Sequence, residues 1–250
     1  MSYTTFKDLH HQNDILLLGN VWDAHSAQLA QQAGFKALGS SSHAIANSLG
    51  YADGEQIPVD ELLAHLQRMI KSVSIPLSVD FESGYSANPQ QVAKNVKKLI
   101  DMGVVGINLE DGQVVNGKRE LGPSELLVEK IKAIKSLDPN IYINARADTY
   151  TTKHPEALSE SIQRAELYTQ AGADGIFIPL IESPEDIKAF TQQISLPLNV
   201  FLTPKLPQIK ELESLGVKRI SHGPKVYEWI VRQYSEFFSN YLRSPELPKG

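Results

Sequence analysis

The stretch Met102-Gly103-Val104-Val105-Gly106-Ile107-Asn108-Leu109-Glu110-Asp111 decides how the chain is read. It runs from a helix end through a glycine cap into a short apolar run rich in β-branched residues, and it closes on two acids. An apolar run of that length, followed by a helical pattern, is a buried parallel strand. The phrase recurs as Ala33-Gly34-Phe35-Lys36-Ala37, Ala171-Gly172-Ala173-Asp174-Gly175 and Leu215-Gly216-Val217-Lys218-Arg219. Each copy ends one helix and begins one strand, so the echo is that of a repeating βα unit.

Working outward, strands are expected at 15–19, 37–39, 75–79, 104–109, 141–145, 175–178, 196–201 and 217–221. Helices are expected between them at 25–32, 60–71, 89–102, 123–137, 155–170, 184–193 and 204–215, with a last one from 225 to about 241. The helix at 60–71 has Leu62, Leu63, Leu66, Met69 and Ile70 at helical spacing. Pro89 opens its helix, where a missing N–H costs nothing. Eight strand–helix units predict an α/β protein, a closed (β/α)8 TIM-type barrel, as a single domain over residues 1–250. Only the tail at 244–250 reads as unstructured.

Bulk composition narrows the function classes. The net charge of −5 is mild and evenly spread, with no basic stripe for nucleic acid and no polybasic amphipathic segment for a membrane. The absence of cysteine removes disulfides, thiolate metal sites and a cysteine nucleophile together. Residues 1–13 are polar and carry acids, unlike a signal peptide, and the apolar run at 15–18 is far too short to span a bilayer. A cytoplasmic protein is expected, with His10 and His11 on its solvated surface.

Charged residues close three of the expected strands: Asp80 and Glu82 after 75–79, Glu110 and Asp111 after 104–109, and Arg146 and Asp148 after 141–145. The carboxyl ends of parallel strands are where sites are built, and like charges gathered there need a use. Asp80, Glu82 and Glu110 form the expected metal set, and a hard divalent cation, Mg2+, suits it. Mg2+ keeps several waters and takes few protein carboxylates directly, so one direct ligand is expected, Asp80. The structural alternative is that these acids cap helices or pair with lysines. The Arg146 fork suits a carboxylate or phosphonate, or a structural salt bridge to Glu82 or Glu110. Ser40, Ser41 and Ser42 follow the second strand, where amides and hydroxyls can hold an oxyanion. Trp22 follows the first strand and either walls the site or packs the core. His222 and His43 are weaker candidates on the same face. The segments 40–58 and 110–122 are longer than tight connections require. The second, with Gly112, Gly117, Gly122, Lys118 and Arg119, has the make-up of a lid that closes over an anion.

Taken in order, Asn20-Val21-Trp22-Asp23-Ala24, Ser40-Ser41-Ser42, Leu49-Gly50-Tyr51-Ala52-Asp53-Gly54, Val79-Asp80-Phe81-Glu82-Ser83-Gly84-Tyr85, Gly106-Ile107-Asn108-Leu109-Glu110-Asp111 and Asn144-Ala145-Arg146-Ala147-Asp148 resemble the isocitrate lyase and phosphoenolpyruvate mutase superfamily. The resemblance implies a (β/α)8 barrel that binds Mg2+ and a small 2-oxo acid and makes or breaks a C–C or P–C bond next to an enolpyruvate. It implies Asp80 as direct metal ligand, with Glu82 and Glu110 acting through water. It implies Asp53, Arg146, Lys118 and Arg119 as catalytic residues, Asp53 being the acid of a gating segment. Trp22, Ser40, Ser41, Ser42, Asp80, Arg146 and Asn199 are the implied substrate contacts. It also implies a dimer or tetramer in which the last helix, about 224–243, is exchanged between subunits.

The departures select within the superfamily. Isocitrate and methylisocitrate lyases carry a lid cysteine as general acid, whereas this lid reads Asn116-Gly117-Lys118-Arg119-Glu120. It is also shorter than the phosphonopyruvate mutase lid, and Glu82 stands where many members have Asp. The chain therefore resembles the small branch that includes oxaloacetate decarboxylase-like proteins, rather than either lyase. A non-catalytic 2-oxo-acid-binding protein with the same pocket is the alternative. A Schiff-base aldolase is disfavoured, because no expected strand ends in lysine.

Overall fold

The computed structural model describes residues 2–115 and 117–247. Asn116, in the expected lid, and residues 248–250 of the expected unstructured tail lie outside the described residues, while residues 244–247 form neither helix nor strand.

The barrel strands are β1 (Leu16–Val21), β2 (Leu38–Ser40), β3 (Leu77–Asp80) and β4 (Gly106–Glu110); a hairpin, β5 (Gly112–Val115) and β6 (Lys118–Leu121), follows β4; β7 (Tyr142–Arg146), β8 (Gly175–Ile178), β9 (Leu198–Phe201) and β10 (Val217–Ser221) complete the set. The eight barrel strands pair in parallel and close in the order β1-β10-β9-β8-β7-β4-β3-β2, as the strand count predicts. The helices are α1 (Tyr3–Leu9), α2 (Ala24–Gln32), α3 (Ser42–Ser48), α4 (Val59–Lys71), α5 (Pro89–Asp101), α6 (Ser124–Leu137), α7 (Ala157–Ala171), α8 (Pro184–Gln193), α9 (Ile209–Ser214) and α10 (Lys225–Tyr241).

Local chemistry explains most boundaries. Asp23 and Ser26 form a reciprocal capping box at the start of α2. Asn88 caps α5 through Gln90 and Gln91 N–H, with Pro89 in its first turn. Gly172 ends α7 at φ 106°, a conformation that strains any residue with a Cβ.

Four features differ from the expectations. The 110–122 segment is an antiparallel hairpin rather than an irregular loop. The 40–58 segment contains α3, capped by Ser41. The helix expected at 204–215 is confined to Ile209–Ser214. The fourth concerns α1, which plugs the amino-terminal end of the barrel. Its Phe6 is fully buried, and His10, expected on the surface, is 1% exposed. His10 donates from Nδ1 to the Phe6 carbonyl at 2.8 Å and stacks on the Tyr142 ring with centroids 4.1 Å apart. Glycine makes room for this plug: a Cβ at Gly106 would meet the Phe6 ring at 2.7 Å, and one at Gly175 would meet Tyr142 Oη at 2.5 Å.

Inside the barrel the layers are polar. Tyr142, Asn144, Asn108, Asn199, Ser78 and Arg219 are all buried. Arg219 Nη2 donates to Asn108 Oδ1 at 3.2 Å, and Asn144 Nδ2 donates to the same oxygen at 2.9 Å. The aliphatic core lies outside the sheet, between strands and helices, as in other barrels of this kind.

Candidate active site

A cavity of ≈ 240 Å3 opens at the carboxyl ends of the strands and is lined by Ser41, Ser42, Asp53, Asp80, Asn108, Arg119 and Arg146 on one side. Period-two alternation aims these side chains. Along β4, Asn108 and Glu110 face the barrel interior, and the next residue, Asp111, faces α7 instead. Asp111 is consumed there by Arg164 (3.0 Å), Tyr168 Oη (2.6 Å) and the Asp148 N–H (2.9 Å). Of the two adjacent acids that close β4, only Glu110 serves the mouth.

Asp80 ends β3. Its Oδ2 accepts from Ser42 Oγ at 2.7 Å and from Ser42 N–H at 3.3 Å, and its own N–H donates to Ser40 Oγ at 2.8 Å. Asn108 Nδ2 lies 3.5 Å from Oδ1. The serine run thus grips Asp80. Ser41 N–H is spent on the Val21 carbonyl at 3.0 Å.

Glu110 and Arg146 are register partners across β4 and β7. Arg146 Nη1 reaches Glu110 Oε2 at 2.9 Å, and its Nη2 and Nε both donate to Asp148 Oδ1, at 2.7 and 3.0 Å. Arg119 bridges from β6: its Nη1 lies 2.6 Å from Glu110 Oε1 and 2.8 Å from Asp148 Oδ2. Two arginines and two carboxylates therefore close a network that ties the hairpin to the barrel. Burial pushes the Asp148 carboxyl up, but Arg146, Arg119 and the Thr151 hydroxyl outweigh it and hold Asp148 below the ordinary carboxylate range.

Glu82 has a different environment. Burial, then the charges of Asp80 and Glu110, push its carboxyl up to about 8. Its Oε2 accepts from Glu55 N–H at 2.9 Å and its Oε1 from Tyr85 Oη at 2.9 Å, while Glu55 Oε1 accepts from Tyr85 N–H at 2.7 Å. Glu55, Glu82 and Tyr85 all take left-handed backbone conformations, at φ 61°, 48° and 59°. Three strained non-glycine residues bonded to one another mark a segment whose geometry is imposed by the site.

The donor set suits one divalent cation. Among the described residues, no three His, Cys, Asp or Glu groups converge closely enough to hold an ion directly. Yet Asp80 and Glu110 both raise the Glu82 carboxyl, the tension that a cation among them relieves. One direct ligand with two acids acting through water fits both observations.

The remaining sequence-derived candidates are dispersed. Lys118 is exposed and lies outside the cavity lining. Trp22 packs on Tyr227, with ring centroids 5.3 Å apart, in the groove beneath α10. Asn199 is buried below the cavity and donates to Ser221 Oγ at 3.2 Å. Asp53 sits at the rim, 3.5 Å from His43 Nδ1. His222 accepts from Asn20 N–H at 3.0 Å and joins β10 to β1. The sequence reading passed over Asn108, Thr151 and the full role of Asp148. Their signal was the inward period-two position of Asn108 and the placement of Asp148 two residues beyond Arg146.

A closed (β/α)8 barrel with acids and paired arginines at its carboxyl-end mouth defines the class: a TIM-type barrel with a charged site at the carboxyl ends of its strands. The family model described as phosphoenolpyruvate phosphomutase matches residues 6–242, and the chain belongs to that family, within the superfamily of lyases and mutases that includes isocitrate lyase. An uncharacterized Mycobacterium tuberculosis H37Rv protein is 37% identical over 223 residues, covering 89% of this chain and 83% of the relative. The 2-methylisocitrate lyase of Bacillus subtilis is 30% identical over 221 residues, covering 84% and 72%. The solved structure of a phosphonopyruvate hydrolase with oxalate and Mg2+ shares the fold, with a TM-score of 0.85 at 23% identity, covering 100% and 92%.

Proposed function

We propose that this protein is a Mg2+-dependent enzyme that cleaves or rearranges the C–C or P–C bond next to the enolpyruvate unit of a small 2-oxo acid. The observation that carries the reading is Asp80 in the wall of the cavity beside Arg146 and Arg119, with Glu82 and Glu110 in the adjoining pocket beneath the hairpin, close enough for the charges of Asp80 and Glu110 to act on Glu82. The phosphonopyruvate hydrolase of the same fold, which holds oxalate and Mg2+, supports it.

Asp80 would hold the ion directly, and Glu82 and Glu110 would hold its waters. When bound, Mg2+ supplies Lewis-acid stabilisation of the negative charge that develops on the 2-oxo oxygen. Ser42, through its N–H and hydroxyl, fixes the orientation of Asp80. Arg146 orients the substrate carboxylate with a fork that Asp148 and Glu110 hold in place. Arg119, carried by the hairpin, would orient the carboxylate or phosphonate borne on C3, and Lys118 would join it when the hairpin closes; a carboxylate leaves as CO2, its bonding pair passing into the enolate. Asp53 gates the rim. Without a cysteine in the hairpin, the general acid of the isocitrate and methylisocitrate lyases has no counterpart, so those two reactions are excluded from the proposal.

The test is pyruvate release from oxaloacetate, phosphonopyruvate and methylisocitrate, with Mg2+ or with chelator. Wild type should turn over the first or second in a Mg2+-dependent way, and Asp80→Ala should abolish it. Turnover retained in Asp80→Ala sinks the metal assignment, and efficient cleavage of methylisocitrate sinks the exclusion.

Oligomerisation belongs to the same proposal. No residue of α10 is buried, and it displays Trp229, Tyr234, Phe238 and Tyr241 to solvent. An aromatic face of that size suits exchange of α10 between subunits of a dimer or tetramer. Light scattering should give a multiple of 27.7 kDa, and a monomer at micromolar concentration would overturn it.

A further inference from the structure

The mouth of the barrel is divided, and the division follows strand order. The charged lining comes from the segment after β2, the ends of β3 and β7 and the hairpin, with Asn108 of β4, Asn20 of β1 and Ser221 of β10 adding uncharged polar groups. The opposite wall, from the ends of β8, β9 and β10, consists of Phe177, Pro179, Leu180, Phe201, Gly223 and Pro224, with Ser221 its one polar side chain among the described residues. None of those strand ends contributes a charged side chain among the described residues. The Arg146 guanidinium, from β7, lies 5.7 Å over the Phe177 ring, so the uncharged part of the wall is that of Leu180 and Phe201. The wall is firm, since a Cβ at Gly223 would meet Phe201 Cε2 at 2.6 Å, so the ring rests directly on the β10 turn. It also reaches solvent. Leu180 is 41% exposed and is held at φ 65°, a conformation that a bulky residue takes only when its surroundings impose it.

The charge count on the polar side matters equally. The two arginines that line the cavity, Arg119 and Arg146, are each committed to Glu110 and Asp148. Two carboxylates match their two charges, so beyond the substrate carboxylate and leaving group proposed for them, they offer no surplus charge for a further anionic group on the far wall. A carboxylate against Phe201 and Leu180 would be desolvated with no cation from that wall to pair it, whereas an alkyl group there would bury apolar surface.

The geometry points to a substrate whose carbon next to the oxo group carries an uncharged aliphatic substituent, lying on the wall formed by Leu180 and Phe201. This rests on the 2-oxo-acid reading above and extends it: the product is a 2-oxo acid longer than pyruvate, and a further carboxylate at that end is rejected.

Calorimetric binding in Mg2+ tests the inference without relying on turnover. The ligands are oxalate, pyruvate, 2-oxobutanoate, 2-oxopentanoate and 2-oxoglutarate, the last being 2-oxopentanoate with its terminal methyl replaced by carboxylate. Affinity should rise about threefold to fourfold per methylene from pyruvate to 2-oxopentanoate, and 2-oxoglutarate should bind more weakly than 2-oxopentanoate. Leu180→Lys, at an exposed position that leaves the core intact, should swing that last ratio toward 2-oxoglutarate by about fivefold. Pyruvate and oxalate binding with no gain along the series, or 2-oxoglutarate binding as tightly as 2-oxopentanoate, overturns the inference and leaves the 2-oxo-acid reading standing. Failure of every ligand to bind, oxalate included, overturns both.

Discussion

Two arginines face the interior of this barrel, and their surroundings are opposite. Arg146, at the end of β7, is enclosed by carboxylates: Glu110 on one side and Asp148 on the other, with Arg119 closing the ring. Arg219, on β10, is 1% exposed and has no carboxylate partner. Its one hydrogen bond is to Asn108 Oδ1, and its Nε and Nη1 meet no protein acceptor among the described residues. Burial pushes its guanidinium down to about 10, far enough from neutrality that it stays charged. The contrast separates two uses of buried charge. At the mouth, charge is balanced locally, two arginines against two carboxylates. On the floor, a single charge is held by one amide oxygen, with Tyr142 and then Asp80 acting against the effect of burial.

Removing Arg146 should therefore produce the largest effect. Arg146→Ala leaves Glu110 and Asp148 buried with only Arg119 to share, and a broken buried ion network typically costs about 3–5 kcal/mol. Urea denaturation should register a loss of that size together with loss of turnover, and Arg146→Lys should fail to restore either, because an ammonium cannot engage both carboxylates as a fork does. A loss below about 1 kcal/mol would mean that Arg119 alone balances the mouth, and the local-balance half of the comparison would fall.

His10 offers a pH-dependent probe of the floor. Burial, then the Arg219 charge, hold the imidazole down at about 3. The unfolded chain accepts this proton near the ordinary value of about 6.5, and the folded chain refuses it until far lower pH. Stability is therefore complete above pH 6.5 and drains as pH falls toward 3, with about 2 kcal/mol lost by pH 5. Denaturation curves between pH 7.5 and 4.5 should show that slope, and His10→Phe, which keeps a ring on Tyr142, should flatten it. An unchanged slope in the variant would place the acid sensitivity elsewhere.

The sequence was most informative where structure is set by neighbours in the chain. The Gly103 and Gly172 caps, the apolar runs and the acids that close β3 and β4 are local signals, and they were enough for the barrel and for Asp80, Glu82, Glu110 and Arg146 at one mouth. What was missed depends on register between distant segments. His10 reads as a polar terminal residue until α1 is placed against Tyr142 and Gly106, more than ninety positions away. Lys118 and Arg119 are equivalent by composition, yet only one side of the β5–β6 hairpin faces the barrel, and pairing of Val114 with Arg119 fixes which. The left-handed backbone of Glu82 and Tyr85 had no local signal, because their strain is imposed by Glu55 from another loop.

The smallest expected effect is the most discriminating. If Arg219 is held only by that amide oxygen, its charge contributes little net stability, since desolvation has already consumed most of what Asn108 returns. Arg219→Met keeps the length and apolar stem of the side chain while removing a charge that no carboxylate balances. Its unfolding free energy should lie within about 1 kcal/mol of wild type, on either side, in contrast to the several kcal/mol lost at Arg146. The His10 slope should shrink in the same variant, because the Arg219 charge is part of what keeps that imidazole neutral. A loss above about 3 kcal/mol would show instead that Arg219 is paired through space with Asp80. Mouth and floor would then be one electrostatic unit rather than two, and Mg2+ affinity at the proposed site would have to rise in Arg219→Met as the opposing charge is withdrawn.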